Sequence, residues 1–235
     1  MKKYILLLST IITIALTILF SILPLNGLSQ ADISNMYTTF ITPAGYTFSI
    51  WSIIYITWLI LGFYILFKKP KDIIKKEINY LASAIFISAV WLIPYHYQII
   101  CITLSLIVLI LGILFYLIKY PSANKLFNKI TELYFGWIYA ATLLNIHLLL
   151  VFNDKYYYGE IIGTISIFAG VLINIYLLRK YSTYIASLVL VWALFGIIVN
   201  QMNQSIINSS IIGIFLILLS IVFKVYSDKN EYCKK

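Results

Sequence analysis

Three groups of side chains in this sequence have the types and spacing to do chemistry, and all three are aromatic rather than ionic. In PAGYTFSIWSIIYITW, Phe48, Trp51, Tyr55 and Trp58 follow one another at three or four residues. At about 100° per residue they fall on one stripe of a helix. In TELYFGWIYAATLLNIHLLLVF, Tyr134, Trp137, Ala141, Asn145 and Leu148 have the same spacing, and the small Ala141 leaves a notch between Trp137 and Asn145. In AVWLIPYHY, Trp91 and Tyr95 share a face, and Pro94 interrupts the backbone hydrogen-bond ladder beside them. Indole and phenol faces suit a flat, apolar, conjugated ligand through stacking and large contact area. The same stripes also fit a plainer role, an interfacial belt continued by core packing, with Asn145 bonded to a neighbouring helix instead of a ligand.

Other chemistry finds little support. The two histidines, His96 and His147, lack an obvious carboxylate to orient them, and neither paired carboxylates nor a Ser–His–Asp arrangement is apparent. His96 reads as interfacial, and His147, about 200° around the helix from Asn145, should face away from it. There is no CxxC or HExxH spacing, so no metal site is expected. Proton- or ion-coupled transporters usually place ionisable groups mid-membrane. Here Glu132 and Glu160 sit at helix ends, and Asn174 is the best polar candidate. A transporter of a lipidic or other small solute and a lipid-modifying membrane enzyme stay as alternatives, enzyme status stays open, and no cofactor is required.

The elements that must position these residues follow from composition. The chain has 235 residues, of which 62% are hydrophobic and 11% charged, with a mean hydropathy of +0.96; a soluble domain carries roughly 25% charged residues. Eight apolar runs approach or reach bilayer length: about Tyr4–Leu25, Tyr46–Phe67, Tyr80–Tyr97, Ile99–Ile118, Glu132–Phe152, Ile161–Leu178, Tyr184–Asn200 and Ile207–Tyr226. The third and fourth should form a hairpin about a tight turn near Tyr97. The expected fold is all-α, a polytopic integral membrane helical bundle of about eight transmembrane helices.

With the N-terminus inside, 16 of the 17 lysines and arginines fall on the inner side, and only Lys155 lies outside. Both termini are therefore expected in the cytoplasm, in a bacterial cytoplasmic membrane. Lys2 and Lys3 with the apolar run after them resemble a signal peptide, but that run is longer than an h-region of about 7–15 residues, so a retained helix is expected. The net charge of +9 is confined to short loops, which speaks for lipid headgroups rather than nucleic acid. Cys101 and Cys233 fall on opposite sides and cannot pair. The loop from Asn26 to Thr42 is long enough to fold over the mouth of the bundle. Four of the five tryptophans precede residue 152, which suggests a functional core of five helices at 1–152 and a three-helix extension at 153–235.

On these residues the sequence resembles the TspO/MBR family, the tryptophan-rich sensory and translocator-type membrane proteins. The resemblance rests on Pro43, Tyr46, Phe48, Trp51 and Tyr55 at the second span, Trp91 and Pro94 at the third, and Tyr134, Trp137, Ala141, Leu144 and Asn145 at the fifth. It covers about residues 1–152. Tyr46 stands where tryptophan is common, Leu133 where proline is, and Ser88 where asparagine is. The resemblance implies a cavity among five helices, capped by the loop between the first two spans. It implies a hydrophobic small-molecule ligand, a porphyrin or other haem-like tetrapyrrole, for sensing, sequestration or transport, and in some relatives light-dependent porphyrin breakdown. Trp51 and Trp137 would stack on the ring and Ala141 would shape the pocket. Phe48, Tyr55, Trp91, Tyr134 and Asn145 complete the expected ligand-binding set. Sterols rank below tetrapyrroles, because residues 150–155, LVFNDK, lack the tyrosine of the sterol-type motif. The added helices would serve as an interaction module or replace a homodimer contact of smaller relatives.

Overall fold

Long runs of Ile, Leu and Val that meet lipid instead of water must close their backbone hydrogen bonds within the segment, and a helix does so. The computed structural model describes residues 4–152 and 158–232. Lys2, Lys3, Lys155, Cys233, Lys234 and Lys235, which entered the orientation and disulfide arguments, lie outside the described residues. The helices are α1 (Ile5–Ile22), a short α2 (Gln30–Met36), α3 (Ile50–Lys68) preceded by a 3-10 turn at Gly45–Ser49, α4 (Lys75–His96), α5 (Ile100–Lys119), α6 (Lys125–Phe152), α7 (Gly159–Tyr181), α8 (Tyr184–Asn200) and α9 (Gln204–Tyr232). Seven of them are long and apolar enough to cross a membrane, and α8 is a shorter apolar helix of 17 residues. The protein is thus a polytopic helical membrane bundle.

Hydroxyls inside the spans mostly bond back to the carbonyl four residues earlier, as Ser9, Thr10, Thr142 and Ser187 do, which removes free O–H groups from an apolar medium. Thr13 instead donates to the Ile85 carbonyl at 3.0 Å and ties α1 to α4. The expected hairpin is present: Gln98, at φ 57°, turns the chain between α4 and α5. The loop after α1 is partly helical. Ser29 caps α2, accepting from the Asp32 N–H at 3.1 Å, while the Asp32 carboxylate accepts from the Ser29 N–H at 2.8 Å. This loop docks on the end of α4, where His96 Nδ1 meets the Leu28 carbonyl at 3.0 Å and Tyr37 donates to Gln98 at 2.5 Å. His96 is fully buried there, at the end of α4.

The helix that organises the rest is α6. Of its apolar stretch 56% is buried, against 33–39% in the other long spans. It packs on α5, α8 and α3, and more lightly on α7; α1 packs on α3 and α4, while α7 and α8 pack on α9. The α6–α8 crossing is close because Gly136 has no side chain: a Cβ there would lie 2.7 Å from the Ala186 Cα. At the same level the Glu132 carboxylate accepts from the N–H groups of Ile185 and Ala186, at 2.5 and 3.2 Å, and so caps the first turn of α8 from a different helix. Helices on both sides of residue 152 therefore share one packed contact through α6.

Candidate functional site

The stripe on α3 meets the stripe on α6, as the family resemblance implied. Trp51 stacks on Tyr55, with centroids 5.5 Å apart and planes 27° apart, meets Trp58 and Trp137 edge-on at 6.4 and 6.2 Å, and lies tilted to Tyr134 at 6.3 Å. Trp58 sits edge-on to Tyr134 at 4.7 Å, and both are completely buried. The Tyr134 hydroxyl bonds the Ser88 hydroxyl and donates to the Ala84 carbonyl at 3.1 Å, which fixes α6 to α4. Tyr55 Oη lies 3.3 Å from the Thr17 hydroxyl on α1. These rings interdigitate and fill the space between α3 and α6, where the expected cavity among the first five spans would lie.

Space opens on the other side of Trp137. A narrow crevice of about 50 Å³ runs between α6, α7, α8 and the turn before α3. Phe48, edge-on to Trp137 at 5.7 Å and 90°, forms its end next to Pro43. One wall is Trp137, Ala140, Ala141 and Leu144 of α6; the other is Leu190, Ala193, Leu194 and Ile197 of α8. Ser166 of α7 is its polar lining residue, and the Ser166 hydroxyl lies 3.0 Å from Nε2 of buried His147. Among the described residues no group of three or more His, Cys, Asp or Glu side chains is placed to hold a metal ion.

Of the expected site residues, Phe48, Trp137 and Ala141 line the crevice, and Trp51, Tyr55 and Tyr134 form the packed cluster behind it. Trp91 does not line the crevice; it packs against the same cluster and stacks on Tyr95 at 4.8 Å and 23°, and its Nε1 is buried without a partner. Asn145 donates to the Ala141 carbonyl of its own helix at 2.9 Å, while its Oδ1 is buried and unpartnered. An acceptor left in that state costs about 1–3 kcal/mol. His147 faces α7, away from Asn145, as its angular offset requires.

The turn that carries Phe48 is held by α8. Trp192 donates from Nε1 to the Thr47 carbonyl at 3.0 Å and sits edge-on to Tyr46 at 5.4 Å. The Gly196 carbonyl accepts from the Ala44 N–H at 2.9 Å. Asn200 and Gln201 donate to the Thr42 carbonyl at 3.1 and 2.7 Å, and Gln201 also reaches the Thr39 carbonyl at 3.2 Å. Gly196 is required at this contact, because a Cβ would run into Thr47 and Pro43.

A family model described as "TSPO-like protein" matches residues 3–223. The chain belongs to the TSPO-like family. The match runs through α7, α8 and most of α9, beyond the stretch that carries the recognisable motifs. No curated protein and no solved structure matches the chain. In this TSPO-like chain the residues that sequence reasoning missed are those on α8. Trp192, Gly196 and Asn200 recur at every fourth position, a one-face pattern that was there to be read.

Proposed function

We propose that this TSPO-like protein binds a hydrophobic small molecule of the tetrapyrrole class in the crevice between α6, α7 and α8, for sensing, sequestration or transport. The observation that carries this reading is the meeting of Phe48, Trp137 and Ala141, three residues of the family-like motifs, around one apolar crevice. Ligand sites are typically concave and mostly apolar with a few polar groups, in about 300–1,000 Å³; this crevice has the lining but, at about 50 Å³, must open to take a ligand. Small side chains at Ala140, Ala141 and Ala193 make this the part of the contact where the two helices can part for a planar ring. For a macrocycle the slit must widen, and the Trp137 indole then offers its face. Trp51 supports Trp137 from behind, so its effect on the ligand is indirect.

Titration with protoporphyrin in nanodiscs, read by tryptophan fluorescence, tests the reading. Saturable quenching is expected in the wild type. Trp137→Phe should weaken it by about tenfold, the upper end of an aromatic contact, and Trp51→Phe by less than about threefold. Absence of saturable quenching in the wild type would retire the tetrapyrrole ligand.

We also propose that both termini are cytoplasmic, on the strength of the lysine and arginine distribution. Exposed Cys101, at the start of α5, should then react with a membrane-impermeant maleimide added to intact cells. A Cys101→Ser control identifies the label, and lack of Cys101 labelling argues for the opposite orientation.

A further inference from the structure

Among the spans of this chain Ser166 is unlike most of the other hydroxyl-bearing positions. Ser9, Thr10, Thr142, Ser187 and Ser209 each spend their proton on the carbonyl one turn earlier in their own helix. Ser166 reaches across from α7 to α6, where Nε2 of His147 lies 3.0 Å away. That pair stands at the wall of an otherwise apolar crevice. The imidazole makes the pair adaptable. With Nε2 unprotonated, Ser166 donates to His147 and its oxygen can accept from a ligand hydroxyl. With the proton on Nε2, His147 donates to Ser166, and the serine proton is free for a ligand carbonyl. Trp137, which lines the same crevice, keeps a buried Nε1 donor without a partner. No Lys, Arg, Asp or Glu stands among the described lining residues, so a charged group drawn inside would have no counter-ion in a medium that penalises it heavily.

We propose that the crevice recognises an uncharged molecule by a single oxygen-bearing end, a hydroxyl or carbonyl, seated at Ser166 and backed by His147, with the apolar body lying along Trp137, Ala193 and Leu194. The proposal rests on the reading of the crevice as the ligand site and adds the chemistry of selection: neutral polar ends are accepted and carboxylates are kept out of the interior. A tetrapyrrole bearing carboxylates would have to keep them at the mouth.

Three fluorescent probes on one skeleton test this: a linear conjugated polyene hydrocarbon, its terminal primary alcohol and its terminal carboxylic acid. Binding is read in nanodiscs as saturable energy transfer from tryptophan, for wild type, Ser166→Ala, Ser166→Thr and Ala193→Phe, each checked for a monodisperse elution profile and unchanged helicity. The alcohol is expected to bind about three- to tenfold tighter than the hydrocarbon, the worth of one hydrogen bond to a neutral group. Ser166→Ala should erase that advantage and leave the hydrocarbon unaffected, and Ser166→Thr should keep it. The ionised acid should be the weakest of the three, and Ala193→Phe, which fills the slit, should abolish saturable transfer for all.

Equal affinity of alcohol and hydrocarbon in the wild type overturns the proposal, as does an alcohol advantage that survives Ser166→Ala, or an acid that binds tightest. If protoporphyrin quenches through Trp137 while the alcohol has no advantage, the proposal falls and the tetrapyrrole reading stands. If the alcohol behaves as expected and protoporphyrin does not bind, the reverse holds. If neither the polyenes nor protoporphyrin shows a crevice-dependent signal, both readings of the crevice fall.

Discussion

The two faces of α6 start from similar material and end differently. Toward α3, large rings meet large rings: Trp58 and Tyr134 are sealed from any surface, and Trp51 and Tyr55 close over them. Toward α8 the contact is fastened at two levels and open between them. At one, Gly136 lets α8 approach and Glu132 caps its first turn. At the other, Trp192, Gly196, Asn200 and Gln201 hold the turn before α3. Between the two, alanines and aliphatic side chains leave the crevice. The comparison teaches that a stripe of tryptophans marks where a helix is filled as readily as where it is hollow. In this chain the hollow lies beside small residues.

The difference can be broken by mutation, and the largest effect belongs to the filled face. Trp58→Ala should cost about 3 kcal/mol, the low end for a buried tryptophan because unpacked helices in lipid lose no hydrophobic transfer energy. Its melting temperature in detergent should fall well below that of Trp137→Ala. Equal falls would mean that the two faces are packed alike.

Next comes the crossing at Gly136. Gly136→Val places carbon against the Ala186 backbone and should destabilise by about 2 kcal/mol. Gly112→Ala is the control: a Cβ there meets nothing within 4 Å, and thermal unfolding should be unchanged. A third effect, about 1–2 kcal/mol, is expected from Glu132→Ala, which strips two N–H groups at the start of α8 of their acceptor. Glu132→Gln keeps an acceptor oxygen and should lose less, and similar melting curves for the two variants would show that capping is not what Glu132 supplies. Smaller still is Ala193→Leu, expected to change stability by less than about 1 kcal/mol because the added carbons enter open space. A loss like that of Gly136→Val would mean that the crevice is already filled.

The smallest effect lies outside both faces. The Ser29 hydroxyl and N–H hold the Asp32 carboxyl below its ordinary range. A carboxyl with a lowered folded-state value stabilises its cap above the unfolded-state value, near 3.9, and that contribution fades as pH falls through the folded-state value. The Ser29 amide shift should therefore move only in strongly acidic solution, while the α6 amides stay put. A midpoint above about 4 would contradict the cap.

The sequence made the spans, the hairpin at Tyr97 and the aromatic stripes legible because each rests on local periodicity or length, while the α3–α6 pairing came from the family resemblance. The docked loop after α1 was expected too, though its helix was not. The crevice was not legible where it lies. The motif residues name one wall, and the other consists of Leu190, Ala193, Leu194 and Ile197, whose types are indistinguishable from lipid-facing residues until α8 is placed beside α6. Asn145 was expected to find a partner across a helix contact or in a ligand, and it bonds its own helix, because the Ala141 carbonyl lies one turn away. Trp192 was counted in the composition but not given a partner, since the group it binds is 145 residues earlier.

That separation has a temporal side. A chain made at about 5–20 residues per second delivers the Pro43–Ser49 turn to the membrane roughly 7–30 s before α8 emerges to receive it. Until then the carbonyls of Thr42 and Thr47 lack the donors that hold them in the finished protein, and the start of α3 has no fixed seat. The second transmembrane helix to be synthesised is thus among the last to be finished, and a chain halted before Trp192 would leave its aromatic turn exposed at the membrane surface.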